Sequence, residues 1–199
     1  LQLIGEHTSG RVALIGTSLG GMVSILLASQ VPECIACVVL NDVGPAVAPA
    51  GLRRIAAYAG LEPAAASWSE AAARLRALHG AAFADFTDED WLASAQNACR
   101  EDASGRIVAD YDPQIGAAFR ARLNEPIDLW PFWAVLGDMP VLLLQAGLSD
   151  ILTAATVERM LAVKPDLERI TVPGRGHAPT LGEPLVTAAL DTFLARHLA

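Results

Sequence analysis

The feature that most constrains the fold is the stretch VALIGTSLGGM, residues 12–22, where an apolar run passes through a glycine-flanked serine into a helical pattern. The run Arg11–Gly16 is short and apolar, which predicts a strand buried on both faces. Leu19–Gln30 has the length and periodicity of a helix, and Pro32 follows its end. A buried strand that turns tightly into a helix is typical of a parallel sheet covered by helices.

The same alternation returns further along the chain. Further buried strands are predicted over Ile35–Asp42 and Pro140–Gly147, and a shorter strand over Glu168–Gly174. Helices are predicted over Thr153–Lys164 and Pro184–Leu198, the second with proline in its first turn. The sequence therefore predicts an α/β fold in which a parallel sheet is flanked by helices.

The middle of the chain has a different pattern, with alanine-rich helical segments and no convincing strand. The segments are Pro49–Leu61, Ser67–Gly80, Asp88–Arg100 and Asp112–Arg122. We therefore predict an all-helical cap over residues 44–135. It is inserted into a sheet core formed by residues 1–43 and 136–199.

Composition excludes several classes of protein. The formal net charge of −8, without clustered Lys or Arg, argues against nucleic-acid binding. No apolar run reaches the ~18 residues needed to cross a bilayer, so no membrane partner is expected. Cys34 and Cys37 have a redox or metal spacing, but no second pair accompanies them, and Cys99 stands alone. We interpret all three as structural thiols and expect no metal site and no organic cofactor.

Ser18 lies at the centre of a G-x-S-x-G pattern in the predicted strand-to-helix turn. We expect side chains at positions 16 and 20 to collide with the neighbouring strand and helix, so that glycine is required at both. The serine hydroxyl then stands at a helix N-terminus, where N–H groups favour developing negative charge. The alternatives are an ordinary turn or a phosphate-binding helix start. The second lacks the P-loop lysine and the dinucleotide-binding spacing.

A nucleophilic serine needs a base and a carboxylate that orients the base. His177 follows the last predicted strand, whereas His7, His79 and His197 do not follow a strand. Asp150, in AGLSD after the third strand, is the favoured acid. Asp42, at the end of VVLND, is the alternative acid.

Taken in order, the segments LIGTSLGGM, VLNDVGP, LLLQAGLSDIL and GRGHAPTLGEP resemble the α/β-hydrolase superfamily. The resemblance is nearest to its cap-bearing carboxylesterases, enol-lactonases and hydrolases of ring-cleavage products. It implies that Ser18 is the nucleophile, His177 the general base and acid, and Asp150 its orienting carboxylate. The backbone N–H of Leu19 would be one oxyanion donor.

The resemblance also carries an expectation about the start of the chain. Members begin with further strands and a loop that supplies the second oxyanion donor, so about the first third of the fold is expected to be missing here. A chain without that part is expected to lose activity. We expect a cytoplasmic location, with a signal peptide upstream left open.

The expected function is hydrolysis of a small, mostly apolar carboxylic ester or lactone through an acyl-enzyme. The alternatives are C–C bond hydrolysis of a β-diketone-like ring-cleavage product, acyl transfer, a cofactor-free haloperoxidase, or ligand binding by a hydrolase fold with a vestigial triad. Trp130 and Trp133, in DLWPFWAVL, are candidates for the substrate pocket or for packing. The expected partner is a small-molecule substrate, and the oligomeric state stays open.

Overall fold

A computed structural model describes residues 10–198 of the chain. The strands, in chain order, are β1 Val12–Thr17, β2 Ile35–Asn41, β3 Cys99–Glu101, β4 Ile107–Ala109, β5 Val141–Ala146 and β6 Glu168–Val172. The α-helices are α1 Leu19–Gln30, α2 Pro49–Ala56, α3 Trp68–His79, α4 Asp88–Ala98, α5 Gln114–Ala121, α6 Trp130–Ala134, α7 Ala154–Val163 and α8 Pro184–His197. The chain divides into two compact units, one formed by residues 1–48 and 126–199 and the other by residues 49–125.

The first unit is built on a four-stranded sheet in the order β1-β2-β5-β6, with every neighbouring pair parallel. Because the strands are parallel, their carboxyl ends lie at one edge of the sheet, and the loops that follow them converge there. The fold class predicted from the sequence is confirmed. The predicted strand and helix ends of this unit agree with the structure to within two residues.

Strand β2 is buried along its whole length and separates two apolar layers. Val38 and Leu40 pack in a cluster with residues of α1, α6 and α7, while Cys37 and Val39 pack in a second cluster with residues of α8. The alternation follows from strand geometry, because successive side chains point to opposite faces. A continuous apolar run is therefore what a central strand covered on both faces requires.

The second unit contains helices α2 to α5, but it is not all-helical as predicted. Strands β3 and β4 form an antiparallel hairpin in which Cys99 pairs with Ala109. The turn between them is stabilised by Asp102, whose carboxylate accepts hydrogen bonds from the N–H groups of Ser104 and Arg106. Gly105 has φ +78°, a conformation that glycine adopts easily. Both strands are only three residues long, too short for an alternating pattern to identify them.

The boundary after the insertion also differs from the prediction, because residues 126–135 belong to the sheet unit. Helix α6 brings Trp133 into the core, where the side chain is buried and its Nε1–H donates to the carbonyl of Met160. The sequence analysis assigned this segment to the cap because no convincing strand is recognised between residues 44 and 135. The absence of a strand pattern does not reveal which unit a segment packs against.

The three cysteines are free thiols in the structure. Burial raises the pKa of the Cys37 thiol above its ordinary value. Among residues 10–198, no three potential metal-ligating side chains of His, Cys, Asp or Glu are grouped together. Within the same range, no helix has both the length and the apolarity that a membrane span requires.

Candidate active site

Ser18 occupies the tight turn between β1 and α1, as the sequence predicts. Its backbone has φ 53° and ψ −118°, which is an unusual conformation for a residue other than glycine. The turn is held by the Ser18 N–H, which donates to the Asn41 carbonyl over 3.2 Å, and by the Gly21 N–H, which donates to the Ser18 carbonyl over 2.9 Å. The serine side chain is thereby placed at the carboxyl edge of the sheet and at the start of a helix.

The positions that require glycine around the serine are 16 and 21, whereas the sequence analysis expected 16 and 20. A Cβ on Gly16 would overlap the backbone of Gly20 and Gly21, so this glycine is required by space. Gly20 has nothing within 4 Å of its Cβ direction, which contradicts the expectation that a side chain there would collide. The second tight position is Gly21, where a Cβ would overlap the side chain of Val43.

Leu19 is the first residue of α1, so its N–H belongs to the group that has no acceptor within the helix. Across the described part of the chain, no other acceptor takes this N–H. The Leu19 side chain is exposed, which leaves the surrounding surface open. The N–H is therefore free to donate to an anion beside Ser18, and its role as an oxyanion donor stays a prediction.

The structure joins His177 to Asp42. Nδ1 of His177 donates to Oδ2 of Asp42 over 2.9 Å, and the two side chains are 8% and 0% exposed. Oδ1 of Asp42 accepts the Ala146 N–H over 2.9 Å, and Oδ2 also accepts the Ser149 hydroxyl over 2.7 Å. A buried carboxylate with three donors is fixed in orientation, and it fixes the imidazole in turn.

The structure thus pairs His177 with Asp42, the alternative acid, whereas the sequence analysis favoured Asp150. Asp42 directly follows β2, which lies beside β5 in the sheet, and its φ of 52° turns the side chain out of the strand direction. The Ala146 N–H at the end of β5 and the Ser149 hydroxyl in the loop after it both donate to Asp42. VVLND and AGLSD both place an aspartate near a strand end, so the sequence alone could not separate the two.

Asn41 is a site residue that the sequence analysis missed. It is fully buried, and its Nδ2 donates to the Pro179 carbonyl over 2.8 Å and to Thr17 Oγ1 over 3.1 Å. It thus ties the end of β1 to the loop that carries His177. Its Oδ1 is buried and has no partner among residues 10–198, and such an unpaired buried oxygen typically costs ~1–3 kcal/mol. The available signal was a lone polar residue at the end of a fully apolar strand.

The loop around His177 is held by a second polar cluster. Arg175 Nε donates to Glu183 Oε1 over 2.9 Å, and the Thr180 N–H donates to the same oxygen over 3.0 Å. The Leu148 N–H donates to the Arg175 carbonyl, which links this loop to the loop after β5. Burial by itself would raise the pKa of Glu183. The hydrogen bonds from Thr180 and Arg175 outweigh it and lower that pKa.

Ser18 and His177 are brought to the same edge of the sheet, although within residues 10–198 no hydrogen bond joins Ser18 Oγ to His177 Nε2. Such bonds are often long without substrate. Of the other histidines, His79 lies in the second unit against Tyr58, and His197 packs on Phe193. His7 lies outside the described residues. His177 is the histidine that the structure pairs with a buried carboxylate.

The two candidate pocket residues lie at the core of the sheet unit. Trp133 is 1% exposed, so its side chain packs in the core, the second of the two roles that the sequence analysis considered. Trp130 is half-buried against the same core, and the guanidinium of Arg159 lies 3.9 Å from its ring centroid. Substrate contact by the remaining surface of Trp130 stays a prediction.

Comparison with known proteins gives three findings. A sequence model described as the alpha/beta hydrolase family matches residues 1–190. A 3-hydroxybutyrate-oligomer hydrolase from Cupriavidus necator is 33% identical over 201 residues, covering 96% of this chain and 67% of that protein. The crystal structure of an alpha/beta hydrolase from Novosphingobium aromaticivorans is 41% identical with a TM-score of 0.90, covering 98% of this chain and 68% of that one.

A more distant structure agrees in fold. An E-2-(acetamidomethylene)succinate hydrolase is 22% identical to this chain, with a TM-score of 0.79, and the match covers 99% of this chain and 70% of that one. At this identity the likeness concerns the fold alone.

Proposed function

Because the chain belongs to the alpha/beta hydrolase family, we propose that it cleaves a small carboxylic ester through an acyl-enzyme. In this proposal Ser18 is the nucleophile, His177 the general base and acid, and Asp42 the carboxylate that orients His177. The observation that carries the proposal is the buried pair of His177 and Asp42, 2.9 Å apart, at the same sheet edge as the strained turn at Ser18.

The proposed reaction proceeds in two steps. Ser18 Oγ attacks the ester carbonyl while His177 Nε2 takes the hydroxyl proton and then returns it to the leaving alkoxide. Water then attacks the acyl-enzyme, again through His177, and releases the acid. The Leu19 N–H, which has no acceptor within the described part of the chain, stabilises the oxyanion in both steps.

Asp42 supports both steps without exchanging a proton. Its carboxylate holds the Nδ1–H tautomer of His177, which leaves Nε2 as the acceptor, and it stabilises the imidazolium that forms. Full burial of Asp42 strengthens this interaction, because water does not compete for the carboxylate oxygens. The three donors on the carboxylate compensate for its removal from water.

The substrate class is the finer part of the proposal. The Cupriavidus necator relative is named for hydrolysis of a 3-hydroxybutyrate oligomer. A short aliphatic hydroxy-acid ester is therefore the first substrate to test, and a lactone of the same acid is the second.

The experiment compares Ser18→Ala with Ser29→Ala, since Ser29 is a second serine on α1 whose hydroxyl donates to a backbone carbonyl of its own helix. We expect Ser18→Ala to lower kcat for p-nitrophenyl butyrate by at least ~10³-fold and to abolish labelling by a fluorophosphonate. Ser29→Ala should retain both. Undiminished turnover by Ser18→Ala would refute the proposal. A folded full-length protein that neither turns over esters nor takes the label would support ligand binding instead.

A further inference from the structure

We propose that Ser149 is a positioning residue that fixes the carboxylate of Asp42 in the rotation at which it holds His177. The proposal rests on the proposed function for its kinetic consequences. Its structural basis is the hydroxyl of Ser149, which lies 2.7 Å from Asp42 Oδ2, the same oxygen that accepts from His177 Nδ1 over 2.9 Å.

The hydrogen bonds that Ser149 accepts leave its hydroxyl proton with Asp42 as its acceptor. A serine hydroxyl offers one donor and two acceptor sites. Ser149 Oγ accepts the Ile151 N–H over 3.2 Å and the Leu152 N–H over 2.9 Å, which occupies both acceptor sites. Its proton is therefore directed to Asp42, and the length of this bond is typical of a hydroxyl that donates to an ionised carboxylate.

Ser149 also gives Oδ2 of Asp42 a hydrogen-bond donor in addition to His177. Asp42 Oδ1 is held by the Ala146 N–H, whereas Oδ2 would have only His177 as a donor without Ser149. A carboxylate held at one oxygen can rotate about its last side-chain bond, and the imidazole that it should orient would rotate with it. The loop after β5 thus contributes a hydrogen-bond donor, Ser149, to the Asp42 carboxylate, whereas the sequence analysis expected this loop to contribute the acid.

The test uses the proton on His177 Nδ1, which should give a ¹H resonance far downfield of the backbone amides in the resting protein. We expect Ser149→Ala to broaden or remove this resonance and to lower kcat about tenfold, with KM changed less than about twofold. Ser149→Thr, which keeps the hydroxyl, should restore both. Ser149→Cys, a weaker donor of similar size, should lie between Ser149→Thr and Ser149→Ala and decides the matter if Ser149→Ala does not fold.

Thr153→Ala is the matched control. Thr153 begins α7 and its hydroxyl accepts the Thr156 N–H over 3.1 Å, so its loss weakens the same region without touching Asp42. It should leave the resonance and kcat near the values of the parent protein. A sharp, unshifted resonance in Ser149→Ala, or Ser149→Thr as impaired as Ser149→Ala, would overturn the proposal. Absence of esterase activity in the full-length protein would refute the proposed function, and the resonance would still test Ser149.

Discussion

Besides Leu181 in the His177 loop, two residues other than glycine have a positive φ among residues 10–198, Ser18 at 53° and Asp42 at 52°. They follow the neighbouring strands β1 and β2, which are in register at Thr17 and Asn41. Such backbone conformations persist where the surroundings determine them. Here the Ser18 N–H is held by the Asn41 carbonyl and the Asp42 N–H by the Leu144 carbonyl. The strain turns both side chains out of their strands at the edge where His177 lies.

Replacing each aspartate in turn tests the proposal that Asp42, rather than Asp150, is the acid. Asparagine tolerates the left-handed backbone of Asp42, so Asp42→Asn should fold while giving His177 an amide in place of a carboxylate. We expect kcat/KM to fall by ~10³–10⁴ in ester-hydrolysis kinetics. The matched variant Asp150→Asn should stay within about threefold, with circular dichroism to verify both folds. Greater loss in Asp150→Asn would restore the acid that the sequence favoured.

At the scale of elements, the sheet strands and their helices were predictable, whereas the insertion and the exact acid were not. A fully apolar run such as β2 can be buried only between two covered faces, so its pattern fixes its place in the sheet. The short strands β3 and β4 carry no such pattern. Asp42 and Asp150 each stand near the end of a strand, and strand order does not single out Asp42, because β5, which precedes Asp150, lies beside β6, which precedes His177.

The turn between β1 and α1 gives a prediction about stability. Gly16→Ala and Gly21→Ala would force a methyl into the backbone of the turn and into Val43, respectively. Each should lower the free energy of unfolding by about 2 kcal/mol or more. Gly20→Ala has open space and a better helix propensity, so it should be neutral or stabilising by up to about 1 kcal/mol.

Urea unfolding monitored by circular dichroism measures the three glycine variants in parallel. Equal destabilisation of all three would mean that the turn requires every glycine of the motif. The structural distinction between Gly20 and the two tight positions would then be wrong.

At the scale of the whole chain, the candidate site belongs entirely to the sheet unit and is assembled from the ends of four strands. Ser18 follows β1, Asp42 follows β2, Ser149 follows β5 and His177 follows β6. The sequence could place each of these segments at a strand end, because the apolar runs are easily recognised. It could not predict Asn41 or Ser149, since their importance lies in contacts between segments more than 100 residues apart along the chain.

The last of these segments is held by the ion pair of Arg175 and Glu183, whose side chains are 13% and 10% exposed. Hydrogen bonds and Arg175 lower the pKa of Glu183 in the folded protein despite burial, which acts the other way. A lowered carboxyl pKa stabilises the folded state above the unfolded-state pKa, for which the ordinary value is 4.5. That stabilisation is lost as pH falls through the folded-state pKa.

Glu183→Gln should therefore reduce the free energy of unfolding by about 1–3 kcal/mol near pH 7, because the amide keeps the shape of the side chain but removes the negative charge that pairs with Arg175. The difference from the parent protein should shrink as pH falls below about 4.5, where the parent glutamate also takes up a proton and loses its charge. Thermal unfolding between pH 3 and pH 7 measures this, with Glu158→Gln, at an exposed position on α7, as the control. A difference that stays constant with pH would show that the charge of Glu183 does not hold the His177 loop.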